Sequence, residues 1–289
     1  MQKLSEHFLE LIRRASTILP EDVHKAIERA IVREGEDTPA GSTLKKMLEN
    51  AALAKETSRP ICQDTGALVF YVDFGPEHRQ KTLEDAILEA TAEATARYYL
   101  RPNAVDPVSG KNSGNNIGRG LPYIHFKQVD QDGLKVRLML KGGGSENVGA
   151  QYKLPDAGLK AGRDLEGVRR CVIDAVFDAQ GKGCGPGAVG IGIGGDRGSS
   201  YLESKEQLFR NLDDKNPDPV LGELEDRLYR ELNQLGVGPM GFGGKTTVMG
   251  VNIGTRHRLP ACYFVSVSYI CWAYRRASMI LKEGKVSYD

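Results

Sequence analysis

Three of the five cysteines stand where a loop meets an apolar run that is typical of a buried strand. Cys62 precedes the run ALVFYV, Cys184 lies in a glycine-rich loop before a second run, and Cys271 follows a third. Loop ends on a rigid scaffold are where proteins commonly place binding groups. The three thiols could therefore complete one metal or iron–sulfur site, but their spacing alone also allows packing or a catalytic cysteine.

The other two cysteines have apolar surroundings. Cys171 lies in the helical pattern RRCVIDAVFDA and Cys262 opens an apolar stretch, so both are predicted to be packed. Five widely scattered cysteines, after an amino terminus without a signal-peptide pattern, argue against a disulfide framework. They indicate reduced thiols and a cytoplasmic location.

Three polar residues near these motifs could take part in chemistry. Asp64 follows Cys62 by two positions, Arg101 ends a helical pattern, and His257 lies in GTRHRLPAC. Taken alone, the three are more simply a turn cap, a solvated helix end and a loop histidine. In isolation, none of them predicts a site.

Glycine-rich runs raise a different functional class. Gly190, Gly192 and Gly195 match the pattern G-x-G-x-x-G, so a nucleotide-dependent oxidoreductase built on Gly190–Gly195 is an alternative. However, the chain then continues helical through NPDPVLGELEDRL, whereas a dinucleotide fold would return to a strand with an acidic tip. These glycines could instead let another backbone segment approach closely.

Composition excludes other classes of partner. The chain has 289 residues, enough to bury a substantial core, and a net charge of +1 with dispersed basic residues. This charge balance argues against binding to nucleic acids or acidic membranes. The most apolar late stretch, LPACYFVSVSYICWAY, is shorter than the ~20 residues of a membrane span and predicts a buried strand leading into a helix.

The elements that must position these residues are mixed. Apolar residues at helical spacing predict helices through residues 1–56, followed by a strand at ALVFYVDFG. Thr82 and Asp85 form a capping-box pattern, and an Asp132-Gly133 turn predicts a hairpin of the strands around it. Further helices are predicted at 165–179 and 219–235, and a strand pair and a helix finish the chain.

Helices and strands do not alternate regularly. The predicted fold class is therefore α+β (mixed α/β), with the helical N-terminal region of residues 1–56 packed on mixed sheets. We expect residues 1–289 to form a single domain.

Taken together, the motifs resemble a known family. In chain order they are ICQDTG, LRPNAV, KNSGNN, KGGGSEN, GCGPGAVGIGIGG, NPDP, GFGGKTT, RHRLPAC and CWAYRR. This order is similar to that of the iron–sulfur hydro-lyases, which comprise class I fumarases and L(+)-tartrate dehydratases. Because several separated motifs agree over nearly the whole chain, the resemblance is specific.

The resemblance implies a [4Fe-4S] cluster with one open iron. The matching ligand positions are Cys62, Cys184 and Cys271, whereas Cys262 falls where fumarases often carry a cysteine that is not a ligand. An open iron is a Lewis acid that can bind a hydroxyl and a carboxylate of the substrate.

The resemblance also implies residues that contact a dicarboxylate. These are Gln63, Asp64, Arg101, the Gly142–Gly144 loop with Gly143 and Gly144, and His257. Arg101 would bind a carboxylate in forked geometry, and the glycines would let backbone N–H groups approach an anion. Asp64 and His257 would be catalytic, the first by orienting the substrate and the second by moving a proton.

Substrate and partner follow from the same resemblance. KGGGSEN resembles fumarases and CWAYRR resembles tartrate dehydratases; reversible hydration of fumarate to malate is favoured over dehydration of L(+)-tartrate or a related C4–C5 diacid. The chain stops at LKEGKVSYD and resembles the α subunit of a two-subunit enzyme. We therefore expect a separate β subunit of ~200 residues, an α2β2 assembly, and activity only with both subunits.

Overall fold

A computed structural model describes residues 4–289 and contains helices and two mixed sheets, which confirms the predicted α+β class. The helices are α1 (Leu4–Thr17), α2 (Glu21–Glu34), α3 (Pro39–Thr57), α4 (Gln80–Ala96), α5 (Gly143–Asn147), α6 (Leu165–Ala179), α7 (Arg197–Gln207) and α8 (Pro219–Asn233). The strands are β1 (Ala67–Phe74), β2 (Tyr123–Gln128), β3 (Leu134–Lys141), β4 (Ala150–Lys153), β5 (Gly187–Gly194), β6 (Val248–Arg256), β7 (Phe264–Ile270), β8 (Arg276–Lys282) and β9 (Lys285–Tyr288).

The chain divides into two compact units, each with its own sheet. Unit 1 comprises residues up to Pro20, Glu49–Gly143 and Arg275–Asp289, and unit 2 comprises Glu21–Leu48 and Gly144–Tyr274. The predicted helical N-terminal region is present as α1, α2 and α3, but it is shared by the two units. A single domain of residues 1–289 stays a prediction.

The sheet of unit 1 has the strand order β2-β1-β3-β8-β9. Strand β1 is parallel to β2 and antiparallel to β3, so it lies between them and the predicted hairpin of β2 and β3 is wrong. The physical reason is that Leu68–Val72 are all buried, which requires neighbours on both edges and both faces of β1.

Helices α1 and α4 cover one face of this sheet. Phe8 and Leu11 of α1 and Ile87 of α4 pack with Phe70 of β1 in one buried cluster. Helix α4 begins at Gln80 without a side-chain cap, so the predicted capping box at Thr82 is wrong. Burial of the apolar stripe, rather than a cap, fixes where this helix lies.

The sheet of unit 2 has the order β4-β7-β5-β6, and every residue of β5 and β7 is buried. Gly190 and Gly192 lie inside β5, where an added Cβ would overlap the carbonyl oxygens of Ser204 and Ser200 in α7. These glycines therefore allow a helix to pack closely on the strand, as the simpler interpretation predicts. They do not form the turn that a dinucleotide site requires.

The chain after β7 also differs from the prediction. Instead of a helix, β8 and β9 form an antiparallel pair, and β8 pairs with β3 through Val136 and Met279. Alternate burial of Ala277 and Met279 suits a sheet better than a helix. Within residues 4–289, none of the helices has the length and apolar character needed to cross a membrane.

Candidate functional site

The Cys62 loop of unit 1 is held by the side chain of Asp64. The backbone N–H of Gly66 donates to Asp64 Oδ1 at 3.0 Å, and that of Gly143 donates to Oδ2 at 2.8 Å. Cys62 itself is partly exposed. The Asp64 carboxylate thus joins the loop before β1 to the turn after β3, and both of its oxygens take part.

Glycine is required where these two segments meet. A Cβ at Gly142 would lie 3.0 Å from Asp64 Oδ2 and 3.2 Å from Arg275 Nη2, so a side chain there would crowd both groups. Gly66 has a φ of +74°, and a Cβ there would lie 2.5 Å from the carbonyl of Lys141. The glycines that the sequence predicts to approach an anion therefore also let the two loops approach each other.

Arg101 is anchored beside the same loop. The hydroxyl of Thr65, which is fully buried, accepts the backbone N–H of Arg101 at 3.0 Å and the amide of Asn103 at 3.1 Å. The exposed Arg101 side chain donates from Nη1 to the carbonyl of Gln63 at 3.4 Å. The guanidinium of Arg101 thus lies beside Gln63, the residue that directly follows Cys62 in the sequence.

A buried amide organises the long loop that carries Arg101. Asn116 is 4 % exposed; its Oδ1 accepts the N–H of Asn103 at 2.7 Å, and its Nδ2 donates to the carbonyl of Arg101 at 2.8 Å and the hydroxyl of Thr95 at 2.9 Å. Thr65, Asn103 and Asn116 are not among the site residues that the sequence predicts. Their signal was the asparagine content of LRPNAV and KNSGNN, because side-chain amides are frequent organisers of irregular loops.

In unit 2, Cys184 and Cys271 lie at one end of the sheet, where β5 begins and β7 ends; this end is called the cysteine edge below. Cys184 precedes β5 and Cys271 follows β7, and the antiparallel pairing aligns Ala188 with Ile270. The N–H of Trp272 donates to the carbonyl of Cys184 at 3.1 Å, and both cysteines are partly exposed. Two of the three predicted ligands are thereby brought together.

The ring of Tyr269 supports both of these cysteines. A Cβ at Gly183 would lie 2.6 Å from the ring, one at Gly187 would overlap it, and one at Gly185 would lie 3.1 Å from the hydroxyl. Burial, and then the neighbouring Cys271 and Cys184, raise the pKa of Tyr269 above its ordinary value. The alternate glycines of GCGPG are thus packed on one aromatic ring, and the sequence does not predict this contact.

Gly144 lies close to the Cys184 loop. A Cβ there would be 3.3 Å from the carbonyl of Lys182, two residues before Cys184. The structure therefore places Gly144 at the cysteine edge of unit 2, and Gly143 against Asp64 in unit 1.

His257 lies at the opposite end of the strands of the unit 2 sheet from the cysteine edge. It follows the last residue of β6, whose first residue, Val248, pairs with Gly187 at the cysteine edge. Across the nine residues of β6 this is a separation of about 26 Å at ~3.3 Å per residue. The exposed His257 lines an open cavity of 670 Å³ together with Cys262 and Arg258. The structure does not bring His257 to Cys184 and Cys271, and its catalytic role stays a prediction.

Of the two cysteines predicted to be packed, Cys171 is buried, whereas Cys262 is partly exposed because it lines the open cavity beside His257. Cys171 is fully buried in α6, and burial, followed by the charges of Asp156 and Asp174, raises its pKa to about 12. A thiol that stays protonated is a poor metal ligand.

The donor chemistry fits an iron–sulfur cluster. Within residues 4–289, no three His, Cys, Asp or Glu side chains are grouped so as to hold a single metal ion. A [4Fe-4S] cluster does not need such a group, because each cysteine binds a different iron. Cys62, Cys184 and Cys271 are partly exposed thiols located at loop ends, which suits cluster ligands.

Comparison with known proteins confirms the resemblance seen in the motifs. Residues 5–280 match the family described as Fumarate hydratase (Fumerase). A protein named "Putative fumarate hydratase class I" from Geobacillus stearothermophilus is 49 % identical over 279 residues, which cover 96 % of this chain and 54 % of that protein. The L(+)-tartrate dehydratase subunit alpha of Escherichia coli (strain K12) is 31 % identical over 285 residues, which cover 97 % of this chain and 91 % of the subunit.

The two relatives differ in length. This chain spans about half of the first and nearly all of the second. Because the family match extends over most of the chain, the assignment does not depend on one motif. The chain belongs to the fumarate hydratase (fumerase) family.

Proposed function

We propose that this chain is the α subunit of an iron–sulfur hydro-lyase that interconverts fumarate and malate. The observation that carries the proposal is the position of Arg101, whose guanidinium lies beside Gln63 in the loop of Cys62. A thiol donor and a cation suited to a carboxylate are thereby presented on one surface. Family membership supports the same chemistry.

The proposed ligands of a [4Fe-4S] cluster are Cys62, Cys184 and Cys271. When bound, such a cluster supplies a Lewis-acidic iron that favours departure of the substrate hydroxyl. Each thiol is partly exposed, so each can become a thiolate ligand. Thiols are kept reduced in the cytosol, and for this reason we place the protein in the cytoplasm.

The other predicted residues would bind and orient the dicarboxylate. Arg101 binds one carboxylate, and the exposed amide of Gln63 donates a hydrogen bond to the substrate. Asp64 keeps acceptor capacity while it is held by two backbone N–H groups, because each carboxylate oxygen has two lone pairs. It can therefore orient the substrate hydroxyl. Gly143 and Gly144 are the proposed anion-binding glycines; the N–H of Gly143 donates to Asp64, so the substrate would meet this loop together with the Asp64 carboxylate.

A separate β subunit of ~200 residues would complete the enzyme as an α2β2 assembly. The name of the E. coli relative, a subunit alpha matched over 91 % of its length, supports this proposal. The same relative supports the second candidate substrate, L(+)-tartrate.

The deciding experiment is anaerobic reconstitution of the chain with iron and sulfide, alone and with its β subunit, followed by assays on fumarate, malate and L(+)-tartrate. We expect iron binding by the chain, activity only with both subunits, and a higher kcat/KM for fumarate and malate. A preference for tartrate would select the second candidate. Full activity of the chain alone would overturn the two-subunit proposal, and failure to bind iron would overturn the cluster.

A further inference from the structure

Arg275 is the largest of the fully buried side chains in residues 4–289, with 1 % of its surface exposed. It lies in unit 1, where its carbonyl accepts the N–H of Leu140 at 2.9 Å and so continues the pairing of β3 with β8. Its Nη1 donates to the backbone carbonyl of Asp64, and its Nε is buried without a hydrogen-bond partner among the described residues. An arginine is seldom buried in this way.

The guanidinium of Arg275 lies near the carboxylate of Asp64 but forms no ion pair with it. Within the described range, its side-chain hydrogen bond goes to a carbonyl, and no carboxylate forms an ion pair with it. The carboxylate of Asp64 accepts the N–H groups of Gly66 and Gly143 and stays beside the guanidinium, since a Cβ on Gly142 would lie 3.0 Å from Asp64 Oδ2 and 3.2 Å from Arg275 Nη2. Burying a guanidinium is strongly unfavourable unless an anion offsets its charge.

An anionic group bound at Cys62 would be close enough to offset the charge of the Arg275 guanidinium. Asp64 follows Cys62 by two residues, so their Cα atoms are at most about 7 Å apart, at ~3.6 Å per residue of extended chain. Gly142 lets Arg275 approach, since a Cβ there would lie 3.2 Å from Nη2. The guanidinium is therefore fixed against the loop that carries Cys62, one of the proposed ligands.

We infer that Arg275 is a positioning residue that fixes the Cys62–Asp64 loop and supplies the buried positive charge that offsets a thiolate-ligated, anionic centre on Cys62. This inference rests on the proposed function. A nearby cation favours the more negative, reduced form of such a centre and so raises its reduction potential. Arg275 thus acts through the loop and the electric field, not by contact with the substrate.

The test compares R275Q, R275K and the matched control R276Q, each as the complete α chain with its β subunit. Arg276 is the next residue, and successive side chains of an extended chain point to opposite sides. Iron content and reduction potential are measured after anaerobic reconstitution, with KM for the dicarboxylate. We expect R275Q to have a more negative potential and a higher KM, and R275K and R276Q to keep the wild-type potential.

The failures of the two proposals are distinguishable. A wild-type protein that binds no cluster would refute the proposed function. A wild-type protein with a cluster, and an R275Q variant of unchanged potential, would refute the role of Arg275 and leave it structural. If R275Q does not fold, R275M, which keeps an unbranched side chain of similar length but removes the charge, decides: a more negative potential supports the inference, and a wild-type potential overturns it.

Discussion

The Cys62 loop of unit 1 and the Cys184–Cys271 edge of unit 2 are held by different physical means. Around Cys62, a carboxylate, a buried hydroxyl and an arginine form directed hydrogen bonds to backbone groups. Around Cys184 and Cys271, alternate glycines pack on the ring of Tyr269. The first arrangement depends on the identity of particular atoms, and the second depends on volume.

This difference predicts which substitutions each region tolerates. Hydrogen bonds are lost when one atom changes and the shape is kept, because a buried partner is left unsatisfied. A packed ring does not tolerate the addition of a methyl group beside it. The Cys62 region should therefore be sensitive to isosteric substitutions of its hydrogen-bonding groups, and the Cys184–Cys271 region to substitutions that enlarge its glycines.

The largest expected effect is on the thiols themselves. Cys62→Ser should lose nearly all of the iron bound after anaerobic reconstitution, because a serine hydroxyl is a poor replacement for a thiolate ligand. Cys262→Ser is the control, since Cys262 lies at the other edge of its sheet from Cys271. Iron analysis and the visible spectrum give the readout. Wild-type iron content in Cys62→Ser would contradict the proposed ligand set.

Enlarging the glycine edge should come next. Gly183→Ala should lower the free energy of unfolding by about 1–3 kcal/mol, because the nearest atoms to the new methyl group all belong to the Tyr269 ring. Gly118→Ala is the control: a Cβ there meets nothing within 4 Å, and its effect should stay within about 0.5 kcal/mol. Denaturant unfolding of the apo chain measures both. Equal free energies of unfolding for Gly183→Ala and Gly118→Ala would show that the Tyr269 ring moves to accommodate the new methyl group.

An isosteric change should break the Cys62 region instead. Asp64→Asn keeps the shape but places an NH2 group against the N–H of Gly66 or Gly143, at a cost of about 1–2 kcal/mol. In Asp64→Asn, hydrogen exchange at the N–H groups of Gly66 and Gly143 should be faster than at the same groups in the control Asp85→Asn, which changes an exposed carboxylate. Unchanged exchange would mean that the carboxylate does not hold the loop.

The smallest structural effect is expected at His257. His257→Asn should leave iron content and stability unchanged, because the residue is exposed and at the edge opposite Cys184 and Cys271. If it moves a proton, kcat should fall with little change in KM. Loss of iron in His257→Asn would contradict the position of His257 at the end of the sheet opposite Cys184 and Cys271.

Local patterns determined much of the fold. The apolar run ALVFYVDFG is β1, the periodic stretch 165–179 is α6, and Asp218 caps α8 by accepting the N–H groups of Val220 and Leu221. Such elements can be predicted because their causes lie within a few residues. The order of the motifs likewise identified the family, since it depends on residue types alone.

Only the tertiary structure decided which segments become neighbours. It inserted β1 between β2 and β3, turned the last segment into strands, and placed His257 across the sheet from Cys184. It also revealed Tyr269 and Arg275, whose partners lie far away in sequence. The physical reason is that strand pairing and the burial of a ring or a charge depend on non-local contacts, which no short stretch of sequence contains.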